Sequence, residues 1–561
     1  MALHRRGVRG ERETPSRPSM RHMAAIALAT FIAYSGSFGG EFVSDDIRRV
    51  RDNLTIRSLE WSHIQEIFST FDGSNYMPLK VLSLAIDYQL WGPNPAGYHL
   101  TNLLIHIGSA LVIYAFLIRL GMTPGPACLT ALLWAVHPLQ VESVAWISER
   151  KNVLSGLFFF AAFHVYLGFS EHRRTGTYLA VLLLYAMAVL SKMNTMVLPA
   201  ICLVYEVTFR FRLRASDVVA SLPLFGIAVT VAWYNLAGNP IHGDSWHGAS
   251  VIVTWLSSSV VFFRYLGKLL LPMDLQPWYD VTLRGSLWDP WVALSVVGLL
   301  GIAVATIWLV YTRREGGFWV LWFVITLLPM LNVIIPFRSL MQDRYMYVPM
   351  VGPLALGASY LSGLAGSRAA RNRIALAVGA LAVACTVLSY RQVQVWANPL
   401  SLWKASADRS AFITGDLEHK PADYDAQVNY LRSVVAENPS AVTLNNLGSL
   451  YFGAGQIAHA FAHFEKAAAL DPDNPNIILN LGRAHLRLGR AVTAEGLLRR
   501  AVTLLPYSVI ARINLARAYL AIGNAEGARR ELDECQRLRP DSPWMWQQER
   551  SYLRQLESAQ S

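Results

Sequence analysis

Two carboxylates stand side by side at Asp45 and Asp46, in the stretch Glu41-Phe42-Val43-Ser44-Asp45-Asp46 that follows a long apolar run. Adjacent acids at a membrane surface need a reason, although a solvated acid pair is the plainer reading. Further on, Glu142, Arg150 and Lys151 lie in the polar, aromatic segment His137 to Asn152, Lys192 stands in Leu190-Ser191-Lys192-Met193-Asn194, and Arg338, Asp343 and Arg344 fall between Pro336 and Tyr347. Acids and cations gathered at one membrane face suit transfer of a group from a lipid-linked phosphate to a hydroxyl. The leaving phosphate needs charge stabilisation by Arg or Lys, and the hydroxyl needs a general base, which a positioned carboxylate supplies. Asp45 or Asp46 is the expected base. Arg344 is the first expected phosphate ligand, with Arg150, Lys151 and Lys192 behind it; Lys192 and Arg338 read equally well as cations snorkelling to headgroups. The same charges also suit a transporter whose acids bind protons or cations.

A second polar group is spaced for one helix face. His99, Asn102 and His106 stand at i, i+3 and i+7, a hydrogen-bonded stripe between packed helices more readily than a metal pair. With His137, Glu142 and Asp343 they complete the candidates on the outer face. Metal dependence is not readable, and no cofactor beyond the donor substrate is implied.

The elements that would position these residues are apolar. The chain has 561 residues, 53% hydrophobic and only 16% charged, with mean hydropathy +0.31. Soluble proteins are about a quarter charged, so a wholly soluble or disordered chain is excluded. Eleven apolar runs, near 23–40, 98–118, 125–137, 153–170, 176–190, 195–209, 217–236, 291–311, 317–335, 346–366 and 372–390, are expected to cross a bilayer. Arg5, Arg6, Arg9, Arg12, Arg17 and Arg21 precede the first, which puts the N-terminus in the cytoplasm and reads as an uncleaved span. Arg173-Arg174, Arg210 to Arg214, Arg313-Arg314 and Arg368 to Arg373 then fall on the same side. The stretch 251–271, with Arg264 and Lys268 and ending at Pro272, would break that pattern as a twelfth crossing and is read as re-entrant or interfacial. The net charge of +11 is thus a topology signal rather than a nucleic-acid footprint. Cys128, Cys202, Cys385 and Cys535 are too far apart for a disulfide framework or a metal knuckle.

After the last run the chain changes solvent and repeats. Gly448, Gly482 and Ala516 recur every 34 residues, as do Gly455, Gly489 and Gly523, and Pro472, Pro506 and Pro540. That period is a tetratricopeptide array. The expected division is a basic cytoplasmic tail (1–22), a membrane domain (23–390), connecting helices (391–440), three repeats (441–540) and a capping helix and tail (541–561), mainly α throughout. The array is a candidate dock for a protein or glycan acceptor.

Phe42-Val43-Ser44-Asp45-Asp46, Asn75-Tyr76-Met77-Pro78-Leu79, Tyr98 to His106, the His137 to Leu154 segment, Asp343-Arg344-Tyr345-Met346-Tyr347-Val348-Pro349 and the join at Gln394, Trp396, Leu402 and Trp403 resemble the transmembrane and tetratricopeptide-repeat-containing protein O-mannosyltransferases. The short array is more like the bacterial members. The resemblance implies a helical membrane domain of the C-type glycosyltransferase superfamily, a catalytic acid pair matched by Asp45 and Asp46, and a sugar donated by a polyprenyl phosphate. It implies a plasma-membrane protein with an extracytoplasmic array, or an endoplasmic-reticulum protein in a eukaryote. The expected function is transfer of mannose or a related hexose to a hydroxyl of a protein or glycan. The alternative is a non-catalytic membrane scaffold presenting its repeats to an envelope or secretory assembly, and a flippase of lipid-linked sugar is the third reading.

Overall fold

The computed structural model describes residues 17–72, 75–211, 213–237, 246–279, 281–312, 315–337, 339–364, 366–407, 424–538 and 543–560. Among them there is no strand, only an isolated bridge between Asp72 and Asn75. Each of the eleven apolar runs contains a helix, the runs 317–335 and 346–366 only over Gly316–Met330 and Val351–Leu364. Six are long and apolar enough to cross a membrane: Met20–Gly39, Pro95–Arg119, Ile147–His172, Ala215–Ala237, Pro290–Tyr311 and Arg368–Trp396. The other five, Pro124–Val136, Thr175–Ser191, Met193–Thr208, Gly316–Met330 and Val351–Leu364, run from 13 to 17 residues. The chain is a membrane protein.

We number the α-helices α1 (Met20–Tyr34), α2 (Trp61–Ser69), α3 (Pro78–Trp91), α4 (Pro95–Arg119), α5 (Pro124–Val136), α6 (Val141–Ala145), α7 (Arg150–His172), α8 (Thr175–Ser191), α9 (Leu198–Thr208), α10 (Ala215–Ala237), α11 (Val251–Leu270), α12 (Pro290–Tyr311), α13 (Gly316–Leu327), α14 (Val351–Leu364) and α15 (Arg368–Val393). Proline opens α3, α4, α5 and α12, where a missing N–H costs nothing, and Asn94 and Asp289 cap α4 and α12. The core of the bundle is aromatic: Trp322 stacks on Phe116 at 5.9 Å and meets Phe163 edge-on at 5.3 Å. A side chain at Gly156 would strike the Tyr347 ring at 2.4 Å, so glycine lets the 343–347 segment lie against α7.

Several spans are short because one end of the bundle is not helical. Every residue from Ala135 to Arg150 is buried although the segment is broken into short turns, and 331–350 folds back beside it. Irregular backbone at that depth is tolerated where protein covers it. The charges expected on open loops are therefore sunk into the bundle. Helix α11 lies along this end: Trp255 donates to Val333 O at 3.1 Å, Tyr265 donates to Gln342 O at 3.0 Å, and Leu269 O accepts from His137 at 3.1 Å.

Beyond α15 come α16 (Pro399–Ala407) and α17 (Tyr424–Glu437), then three antiparallel pairs: α18 (Ala441–Gly453) with α19 (Ile457–Leu470), α20 (Pro475–Arg487) with α21 (Ala491–Leu504), and α22 (Val509–Ala521) with α23 (Ala525–Leu538), closed by α24 (Gln547–Gln560). The period is visible in the backbone. Gly455, Gly489 and Gly523 turn each pair with φ of 76°, 74° and 79°, a region glycine enters without the Cβ penalty. Ser440, Asn474 and Ser508, 34 apart, cap the first helix of each pair. The array rests on that same end of the bundle, with the Tyr507 ring packed around Gly248 and Gly285.

Candidate active site

The acid pair divides at once. Ser44 takes φ 52°, a left-handed turn that costs an L-residue about 1–2 kcal/mol, and Asp45 and Asp46 leave it in different directions. Asp46 is fully buried. Its carboxylate accepts from Val43 N at 3.2 Å and from Ser148 N at 2.7 Å. Burial outweighs these bonds and pushes its pKa up to about 7. Asp45 stays 41% exposed and pairs with Arg49 at 3.1 Å.

Arg49 sits in a π-helical turn, Ile47–Arg51, a distortion common at functional sites. It also reaches Asp72 at 3.2 Å, and Asp72 meets Lys80 at 2.5 Å. Lys80 is fully buried on α3, and burial lowers its pKa to about 8 against the pull of Asp72. Although burial opposes it, Lys80 and Arg49 hold Asp72 well below the usual carboxylate range.

Across from the pair lies a cation cluster. Arg344 bonds Glu142 through both its backbone N–H, at 2.8 Å, and its guanidinium, and reaches Glu149 at 3.4 Å. Lys151 meets Glu149 at 2.8 Å, Asn152 donates to Glu149 at 2.7 Å, and Lys192 donates to Asn152. Arg344 and Lys151 thus share two carboxylates, Glu142 and Glu149, and Lys192 joins them through Asn152, which gathers three basic side chains where an anion could meet them. Burial raises the pKa of Glu142 against Arg344, and burial with Glu142 nearby raises that of Asp343, whose carboxyl accepts from Tyr279 OH at 2.7 Å. Burial lowers Lys192 to about 7. The guanidinium of Arg344 lies 5.4 Å over the ring of Trp146, which stacks on Trp396 at 5.1 Å.

Arg150 stands elsewhere than a phosphate ligand would. It is fully buried and grips Asp87 at 2.5 Å, Tyr98 O at 3.0 Å and Asn102, while Asn102 donates to Val144 O at 3.1 Å. This clamp joins α3, α4 and α7. The polar stripe on α4 is buried as one face. His106 donates to Ala135 O at 2.9 Å through Nε2, so its Nδ1 accepts from Tyr347 OH at 2.9 Å. His99 is buried beside Gly40 with neither ring nitrogen bonded among the described residues. His137 donates to Leu269 O at 3.1 Å, and burial lowers its pKa to about 4. Among the described residues no three His, Cys, Asp or Glu side chains gather as a metal site. Arg338 lies outside the described residues.

Glu149, Asp72, Lys80, Asp87 and Arg49 are site residues that sequence reasoning passed over. Lys80 and Asp87 carried a signal, being charges seven apart on one face of the otherwise apolar Pro78–Trp91. Glu149 had none beyond its place between Ser148 and Arg150.

Comparison with known proteins agrees with this architecture. The tetratricopeptide repeat model matches residues 451–502 and 489–547. The chain is 30% identical over 176 residues to human protein O-mannosyl-transferase TMTC4, covering 27% of this chain and 24% of that protein. It is 32% identical over 203 residues to human protein O-mannosyl-transferase TMTC1, covering 33% and 23%. Over 429 residues it is 22% identical to protein O-mannosyl-transferase F38B6.6 of Caenorhabditis elegans, covering 71% and 59%. The chain thus aligns with about a quarter of the length of the two human relatives. Among solved structures, the first tetratricopeptide domain of Spaghetti (RPAP3) bound to an HSP90 peptide is 26% identical over 21% of this chain and 92% of that one, with a TM-score of 0.20.

Proposed function

We propose that this chain, a homologue of the TMTC proteins, is a glycosyltransferase that moves mannose or a related hexose from a polyprenyl phosphate to a protein hydroxyl on the outer face of its membrane. The carrying observation is the split of the acid pair: one carboxylate is locked into the backbone and its neighbour is open. Asp45 is the base. It accepts the proton of the acceptor hydroxyl as the hydroxyl oxygen bonds the anomeric carbon. The bond from that carbon to the phosphate oxygen breaks, and the electron pair leaves with the phosphate, inverting the centre.

The departing phosphate gains charge, and Arg344, Lys151 and Lys192 are the cations that meet it. Glu142 and Glu149 hold Arg344 and Lys151 in place and keep the cluster from repelling itself. Asp46 is a positioning residue, setting the turn from which Asp45 projects. Arg150 positions α3, α4 and α7. A flippase or a scaffold has no evident use for this division of roles.

The test is transfer in reconstituted membranes from polyprenyl-phosphate mannose to a peptide rich in serine and threonine, read by mass spectrometry. Asp45→Asn keeps shape and removes the base, and transfer falls about a hundredfold to ten-thousandfold while the melting temperature stays near wild type. Transfer at the wild-type rate by Asp45→Asn and by the double variant with Asp46→Asn would sink the mechanism and favour the scaffold.

A further inference from the structure

Two clefts open where the repeat array meets the bundle. The larger, about 790 Å³, has Gln276, Tyr279 and Thr282 on the bundle side and Val442, Asn474 and Asn476 on the array side. The smaller, about 410 Å³, shares Tyr279, Thr282, Pro475 and Asn476 with it and runs on to Tyr507 and Ser508. Shared walls make them one groove. Both volumes lie in the range of ligand sites.

We infer that this groove takes an extended polypeptide, the acceptor of the transfer proposed above, and the inference rests on that reading for the word acceptor alone. Three features identify the occupant. The groove follows the repeat period: Val442 and Asn476 stand 34 residues apart in the first turns of α18 and α20, and Asn474 and Ser508, also 34 apart, cap α20 and α22. A ligand that passes the starts of three successive repeats is a chain, not a compact sugar. The walls mix amide and hydroxyl groups (Gln276, Asn476, Thr282) and charged ones (Arg264, Lys268, Asp274) with apolar ones (Met273, Met341, Val442), as a polypeptide needs for its backbone and its varied side chains. Finally, the groove adjoins the chemistry. Tyr279 lines it, and the Tyr279 hydroxyl donates to Asp343 at 2.7 Å, next in sequence to Arg344 on Glu142 and Glu149.

Binding is testable without turnover. The full chain in nanodiscs carries the photocrosslinker p-benzoylphenylalanine in place of Asn476, or, as control, of Val492, which is 75% exposed and begins α21, whose other end at Leu504 lines the groove. The probe is a biotinylated peptide rich in serine and threonine. Capture is expected at 476 and not at 492, competed by unlabelled peptide and reduced about tenfold when Thr282→Trp fills the groove. Thr282→Trp is also expected to raise the KM for the peptide with kcat kept. Absence of competed capture at 476, or equal competition by a soluble mannan, overturns the groove assignment. Wild type that captures peptide but transfers no sugar overturns the transferase reading and leaves the groove standing.

Discussion

Ser148 donates its backbone N–H to Asp46 at 2.7 Å across 102 residues of chain, and Glu149, the next residue, carries Lys151 and Arg344. One short turn therefore joins the acid loop to the cations. The spacing between Asp45 and the cations is set through this junction, and Asp46, which forms it, is also the group whose ionisation the fold resists.

That resistance has a sign. A carboxyl whose pKa rises from 3.8 to about 7 on folding contributes stability that is full below the unfolded value and lost as pH rises through about 7. Wild type in detergent should therefore lose melting temperature between about pH 4 and about pH 7 in a way that Asp46→Asn does not. The variant also turns an amide N–H₂ toward a backbone donor and loses about 1–3 kcal/mol at acid pH. Thermal unfolding across that window reads both effects. A variant that keeps the wild-type slope would show that another group titrates.

Arg150 and Asp87 should behave as a structural pair. Their contact is buried at 2.5 Å, and removing one partner strands the other, typically at a cost of 3–5 kcal/mol. Arg150→Gln and Asp87→Asn are each expected to lower the melting temperature severely. Asp87→Asn combined with Arg150→Gln should recover much of the loss, giving a coupling of about 1–3 kcal/mol in the double-mutant cycle. Recovery of stability together with transfer would leave no phosphate role for Arg150; recovery of stability without transfer would restore it.

What the sequence discloses and what it withholds follow from the range of the forces involved. The helices and the repeat array are legible because hydropathy and period are local, and because Gly455, Gly489 and Gly523 must turn with positive φ at every unit. The acid pair is legible as a pair. Its division is not, because the burial of Asp46 depends on Ser148, far along the chain. Arg150 misleads for the same reason: beside Lys151 it looks like one of two surface cations, yet Asp87 and Asn102 draw it inward while Lys151 turns to Glu149. Lys80 shows a charge-bearing face of an apolar helix only once the helix itself is recognised.

Lys192 should give donor binding a pH limb. With its pKa lowered to about 7 by burial, despite Glu149, the ammonium is charged below that value and neutral above it. Attraction for the carrier phosphate should weaken as pH rises through about 7, so the KM for donor should climb there. Lys192→Arg, always charged, should hold KM flat over the same range. An unchanged limb in that variant would move the titration to another group.

The direction of the whole assembly is the last expectation. Helix α7 carries Arg150 and the cation cluster at its start. At its other end, about 34 Å away for 23 residues, Arg119 meets Glu171 at 2.7 Å and Arg173 pairs with Asp217. Arg174, Arg210 and the start of α15 at Arg368, Arg371 and Arg373 belong with that second end by chain order. Arginine-rich ends tend to face the cytoplasm, so the acid pair and the repeat array are expected outside. All four native cysteines are buried, so single probes read cleanly. Thr312→Cys, after α12, should react with an impermeant maleimide only once the membrane is opened, whereas Glu437→Cys, exposed at the end of α17, should react in intact cells. Reversal of the two patterns would turn the protein over and carry its chemistry to the cytoplasmic face.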